Sequence, residues 1–216
     1  EQDVVLTRDN VPIVIHDIYL DTVTNVKELF PHRNRRDGRF YAIDFTLNEI
    51  KQLQVHERIN IDTLKPVYEK RFPVNSVDFK IPTLEEEIQF IHGLNNSTGK
   101  NIGIYTEIKA PQFHLHEGKK IANIVMELLN RYGYNQFESN RFVQCFDPHC
   151  LEYIRFELHS PIKLIQLLCP SSWKETEGVD YEFFLSKDGL KKISSYANGI
   201  GPWYNQLIDI HKESKT

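Results

Sequence analysis

Asn101-Ile102-Gly103-Ile104-Tyr105-Thr106-Glu107-Ile108-Lys109 is the stretch on which the fold turns. Its β-branched and aromatic residues predict a strand over 101–108, and a different pattern follows. Over 118–132, Ile121, Ile124, Val125, Leu128 and Leu129 recur at helical spacing, and Gly133 supplies a stop. Residues 141–146 read as a strand again, 148–158 as a helix with Leu151, Ile154 and Phe156 as its apolar positions, and 163–168 as the next strand. A Trp- and acid-containing loop over 171–184 leads to a helix near 187–196, the short strand Gly199-Ile200-Gly201-Pro202 and an amphipathic tail. Upstream, Thr83 and Glu86 have capping-box spacing, and Leu84, Ile88 and Ile91 share one face of the helix they open. Strands alternating with helices at this pitch, with continuously apolar strands, predict a parallel sheet covered by helices, an α/β barrel rather than a sandwich.

Toward the start, the apolar runs 4–6 and 11–15 are separated by Thr7-Arg8-Asp9-Asn10, a polar cluster suited to a tight turn. Between them and the regular region lies 19–82, which carries the basic Pro31-His32-Arg33-Asn34-Arg35-Arg36 and a helix start at Thr46-Leu47-Asn48-Glu49-Ile50. That length exceeds an ordinary connection, so we expect an inserted subdomain within a single domain spanning 1–216. About five barrel strands are counted, against the eight that closure requires. Glu1-Gln2-Asp3-Val4 already reads as a strand under way, so the sequence is expected to be clipped upstream.

A chain of 216 residues with 40% hydrophobic and 12% aromatic residues can enclose one sizeable core. The net charge of -4 argues against a nucleic-acid binder, and no run approaches the roughly 18 apolar residues of a membrane span. Cys145, Cys150 and Cys169 lack zinc-type spacing and read as packing residues.

Side chains alternate along a strand, so Glu1 and Asp3 share a face, as do Glu107 and Lys109. Three carboxylates on interior faces repel unless a cation joins them, and hard oxygen donors suit Ca²⁺ or Mg²⁺ better than zinc or iron. His16, followed by Asp17, places an imidazole at a strand terminus, where α/β barrels keep their active sites. Taken by spacing alone, Glu-x-Asp describes a solvated strand edge equally well, and Glu107 with Lys109 a buried structural salt bridge. His114 and His116 after Pro111 read as a loop pair, and Trp173 and Trp203 as ligand contacts or loop packing.

Glu1-Gln2-Asp3-Val4-Val5-Leu6-Thr7-Arg8-Asp9 with Pro12-Ile13-Val14-Ile15-His16-Asp17 resembles the Glu-x-Asp and His-Asp signatures of the glycerophosphodiester phosphodiesterase family. Tyr19-Leu20-Asp21-Thr22-Val23-Thr24, residues 37–47 and 95–111, Gln144-Cys145-Phe146-Asp147 and Asn198-Gly199-Ile200-Gly201-Pro202 look like its bacterial periplasmic branch. The resemblance implies a (β/α)8 barrel of the phosphodiesterase type, here without the first and the last two strands. It implies that Glu1, Asp3 and Glu107 are metal carboxylates for Ca²⁺ or Mg²⁺. It also implies that His16 is one of two acid-base histidines, and that Lys109 neutralises phosphate. Residues 19–82 would be the cap subdomain over the barrel mouth. The implied substrate is a small glycerophosphodiester, cleaved to glycerol 3-phosphate and an alcohol, in the periplasm or outside the cell. The family's His-Arg-Gly segment on the first strand is absent, so the 216-residue piece alone is expected to have little or no activity. Two other readings are a related barrel phospholipase and a binding protein that kept the barrel and lost the chemistry.

Overall fold

The computed structural model describes residues 1–71, 78–137 and 140–208. It divides into two compact units, Gln2–Leu94, and the chain from Asn95 onward together with Glu1.

In the first unit, β1 (Gln2–Leu6) and β2 (Pro12–Val14) pair antiparallel, with Val4 opposite Val14 and Leu6 opposite Pro12. The expected turn joins them. Thr7 Oγ1 donates to Asp9 Oδ1 at 2.6 Å, and Asn10 takes a φ of 63°, a left-handed conformation that asparagine tolerates. Two short helices follow, α1 (Val26–Leu29) and α2 (Leu47–Ile50), the second opened by a complete capping box between Thr46 and Glu49. Val5, Ile13, Leu20, Val26, Phe40, Phe45, Ile50, Leu53 and Ile81 form a closed core. The unit ends in α3 (Leu84–Thr98), where the predicted box is present: Thr83 N–H donates to Glu86 and Glu86 N–H to Thr83 Oγ1.

Two arginines of the basic segment are held by ion pairs. Arg33 donates to Glu49 at 2.8 Å, and Arg35 grips Asp44 through two bonds of 2.7 Å. Both guanidinium groups also lie over aromatic rings, Arg33 on Phe45 and Arg35 on Tyr41. These two arginines are structural ties.

The second unit is a parallel sheet in the order β3 (Tyr105–Ile108), β4 (Phe142–Cys145), β5 (Lys163–Leu168), β6 (Gly199–Pro202). Its connections carry α4 (Pro111–His116), α5 (Ile121–Arg131), α6 (Pro148–Glu152), α7 (Tyr181–Phe184) and α8 (Lys187–Ile193). Val125, Leu129, Val143, Leu151, Ile154 and Leu164 are fully buried between helices and sheet. Cys145, Cys150 and Cys169 are free and buried, as packing residues should be.

Several boundaries differ from the sequence reading, each for a local reason. The strand expected over 101–108 begins at Tyr105, because the backbone of Ile102 is engaged on both sides by the Asn95 side chain. A Cβ at Gly103 would meet the Asn140 carbonyl oxygen at 1.8 Å, so only glycine admits this approach. The next helix starts at Ile121, since Gly118 turns left-handed with φ 75°. The stretch read as a histidine loop is α4, opened by Pro111 at its first turn, and it buries His114 completely. The helix expected over 148–158 changes to a π turn over Tyr153–Glu157, whose wider winding leaves Phe156 half exposed instead of packed. The loop expected over 171–184 holds a 3-10 turn and α7, and the helix after it closes at Ile193. Part of the expected amphipathic tail, 209–216, lies outside the described residues. No helix among the described residues is long and apolar enough to cross a membrane.

Candidate active site

In a parallel sheet all strands end on one edge, and side chains leaving that edge converge. Glu107 and Lys109 sit at the end of β3 and just beyond it, two residues apart and so on one face. They are 5% and 9% exposed, and Lys109 Nζ donates to Glu107 Oε1 at 2.8 Å. Across the ladder Glu107 is in register with Gln144 of β4. The Gln144 amide donates to a carboxylate oxygen of Glu1, and Glu1 and Glu107 bring oxygens within 4.8 Å of each other.

Two carboxylates this close, one of them buried, repel by several kcal/mol unless positive charge or donors intervene. Here the Lys109 ammonium and the Gln144 amide supply them. The negative field is felt nearby: burial first, and then the charges of Glu1 and Glu107, push the Tyr105 phenol above its ordinary range. The donors are hard carboxylate oxygens free of thiolate or imidazole, which fits a hard divalent cation better than a transition metal. The Lys109 ammonium also faces the Phe146 ring at 5.8 Å, which fixes the long side chain.

Within the other unit, Asp3 is half-buried on β1. His16 lies just past β2 with its side chain 63% exposed, and its Nδ1–H donates to Asp17 Oδ1 at 2.6 Å. Asp17 in turn is bonded by the Arg58 guanidinium. Burial pushes the Asp17 carboxyl up, but the bonds from His16 and Arg58 outweigh it and hold it well below the usual carboxylate range. A carboxylate locked in its charged form fixes Nδ1 as the donor and so sets the orientation of the ring.

The structure thus brings Glu1, Glu107 and Lys109 together within one unit, while Asp3 and His16 belong to the other. Arg58 and Gln144 were not among the site residues expected from sequence. Gln144 had a signal, an amide between apolar neighbours in Phe142-Val143-Gln144-Cys145. Arg58 had none, because its partner is 41 residues away. His114 and His116 do not form a pair at the site. The His114 imidazole is buried and bonded to the Ala110 carbonyl at 3.0 Å, and burial holds it below its ordinary value.

The family model described as "Glycerophosphoryl diester phosphodiesterase family" matches residues 1–215. The chain belongs to the glycerophosphoryl diester phosphodiesterase family. Glycerophosphodiester phosphodiesterases of Haemophilus influenzae and Treponema pallidum are each 41% identical to it, over 230 and 224 residues. Those matches cover 100% and 97% of this chain, which spans 63% of the length of either relative. Among solved structures, an Oleispira antarctica phosphodiesterase in complex with the product sn-glycerol-3-phosphate superposes with a TM-score of 0.58 at 18% identity, covering 97% of this chain and 67% of that one. That likeness carries the fold, an α/β barrel of the phosphodiesterase type. The family generally depends on a divalent cation.

Proposed function

We propose that the protein hydrolyses glycerophosphodiesters to glycerol 3-phosphate and an alcohol, with Glu1, Asp3 and Glu107 as ligands of one Ca²⁺ or Mg²⁺. The observation that carries this reading is the Glu1–Glu107 approach within 4.8 Å, compensated by Lys109 and Gln144, in a chain of this family. Asp3 follows Glu1 at the two-residue spacing that returns an extended chain to the same face. The names of the two relatives support the activity, and the product bound by the Oleispira enzyme supports the glycerol side of the substrate.

A phosphodiester anion repels an incoming oxygen, and charge builds further as phosphorus becomes five-coordinate. When bound, the cation supplies Lewis-acid polarisation of a phosphoryl oxygen and a template for the substrate hydroxyls. Lys109 contributes a second positive centre, aimed by Glu107 and held by Phe146, and so needs little reorganisation as charge develops. His16, with Nδ1 committed to Asp17, exchanges a proton through Nε2, a transfer worth on the order of 10² to 10⁴ in rate. Arg58 keeps Asp17 ionised and thereby positions the imidazole. Residues 19–82 shape the pocket for glycerol and head group. The likeness to the periplasmic branch supports a periplasmic or extracellular location, which cell fractionation would check against a cytosolic marker.

The test is release of glycerol 3-phosphate from glycerophosphocholine by the full-length protein, with and without chelator. Chelation is expected to abolish release, restored by Ca²⁺ or Mg²⁺, and Lys109→Met is expected to lower kcat by about 10² or more. Release indifferent to chelation, or turnover of sphingomyelin and phosphatidylinositol only, would refute the proposal.

A further inference from the structure

The chain has two tryptophans, and they meet. Trp173 follows β5 and Trp203 follows β6, and their ring centroids are 5.4 Å apart with planes inclined by 56°. Tyr204 stands against Trp203 at 5.4 Å and 66°. These rings are not placed by burial, since Trp173 is 46% exposed and Tyr204 58%. The backbone places them. Trp203 N–H donates to the Leu168 carbonyl at 3.0 Å, extending the β5–β6 ladder by one bond, and Trp173 N–H closes the 3-10 turn onto Pro170 at 2.9 Å.

We propose that this aromatic corner receives the quaternary ammonium of a choline-type head group, an inference that rests on the hydrolase reading above. Two indole rings inclined by 56° with centroids 5.4 Å apart are near enough for one cation to lie within about 6 Å of both, the range over which a ring quadrupole attracts a cation. A trimethylammonium group has no N–H to donate, so a site for it needs π faces and diffuse negative charge rather than acceptors. The Trp173 loop supplies that charge: Glu175, Glu177 and Asp180 stand against Lys174 alone in residues 171–180. The corner also lies on the correct edge. Strands β3 to β6 are parallel, so Trp173 and Trp203 leave the same end of the sheet as Lys109. A neutral glycerol head group gains nothing from such a corner, which makes the rings a specificity device rather than part of bond cleavage.

Two measurements test it. The first compares glycerophosphocholine with glycerophosphoglycerol as substrates of the full-length protein, as wild type, Trp173→Leu and Trp173→Phe. The leucine variant is expected to raise KM for the choline ester about tenfold with kcat unchanged, and to leave the glycerol ester within about twofold. The phenylalanine variant, which keeps a π face, should restore most of the loss. Equal effects on the two esters, or none on either, would overturn the proposal. The second is a titration of tryptophan fluorescence with choline, using glycerol as control. Both emitters lie in the corner, so a saturable change with choline alone supports the proposal and its absence overturns it. Should neither ester be hydrolysed while choline still gives a saturable signal, the hydrolase reading falls and the aromatic site stands.

Discussion

Between Gln2 and Leu94 arginine ties reinforce a compact apolar core, whereas from Asn95 onward order comes from periodic apolar packing. In the first region Arg33, Arg35, Arg39 and Arg71 each pair with a carboxylate, and each also lies over an aromatic ring. Secondary structure there is short, and the ties join residues up to 18 apart, as Arg39 does with Asp21. In the second region four parallel strands alternate with helices, the core is aliphatic, and its outer ion pair Lys192–Glu152 is long, at 3.8 Å. The difference teaches where charge matters for stability. A planar guanidinium that both pairs with a carboxylate and stacks on a ring adds order where the chain outside the core is irregular.

The largest expected effect of breaking this comparison is at Arg39. The Asp21 side chain is fully buried, Arg39 bonds one of its oxygens at 2.8 Å, and the guanidinium lies 3.6 Å from the Tyr19 ring centroid. Arg39→Met strands a buried carboxylate, and denaturant unfolding should show a loss of about 3 kcal/mol or more. The double variant Arg39→Met/Asp21→Leu should recover a large part of it. A single variant as stable as wild type would remove the argument for this region.

A smaller effect follows from pH. Burial raises the Glu49 carboxyl, but bonds from the Thr46 backbone and from Arg33 outweigh it and bring it down to about 2 from an ordinary 4.5. An acid held low in the fold contributes stability that is complete above about 4.5 and is lost as pH falls through about 2. Unfolding followed between pH 5 and 2 should therefore lose stability in wild type and lose less of it in Glu49→Gln. The smallest effect is expected in the regular region, where Lys192→Ala should change stability by no more than about 0.5 kcal/mol. A loss comparable with that of Arg39 would erase the contrast between the two regions.

The same division governs what was legible in the sequence. The strand 163–168, the strand 199–202, the helix start at Thr46 and the capping box at Thr83 were readable because each is set by residues within a few positions of one another. Element ends were misread where a distant group intervened, as Asn95 does at Ile102 and Asn140 at Gly103. The π turn at Tyr153 could not be read from spacing, because 3.6-residue periodicity assumes that no residue is added to a turn. For the site, Glu107 and Lys109 stood out as charges ending an apolar strand, but the Glu1–Gln144 bond joins residues 143 apart and leaves no local trace. Trp173 and Trp203 were visible singly, and only their juxtaposition gives them a role.

The account depends most on the claim that the carboxylates at the strand ends bind one hard cation. Calorimetric titration of metal-stripped protein with Ca²⁺ and with Mg²⁺ measures it without reference to turnover. The account predicts one ion per chain for the wild type and at least about tenfold weaker binding for Glu107→Gln, since a charged oxygen donor is lost from the set. No binding of either ion, or equal binding by the variant, would contradict it.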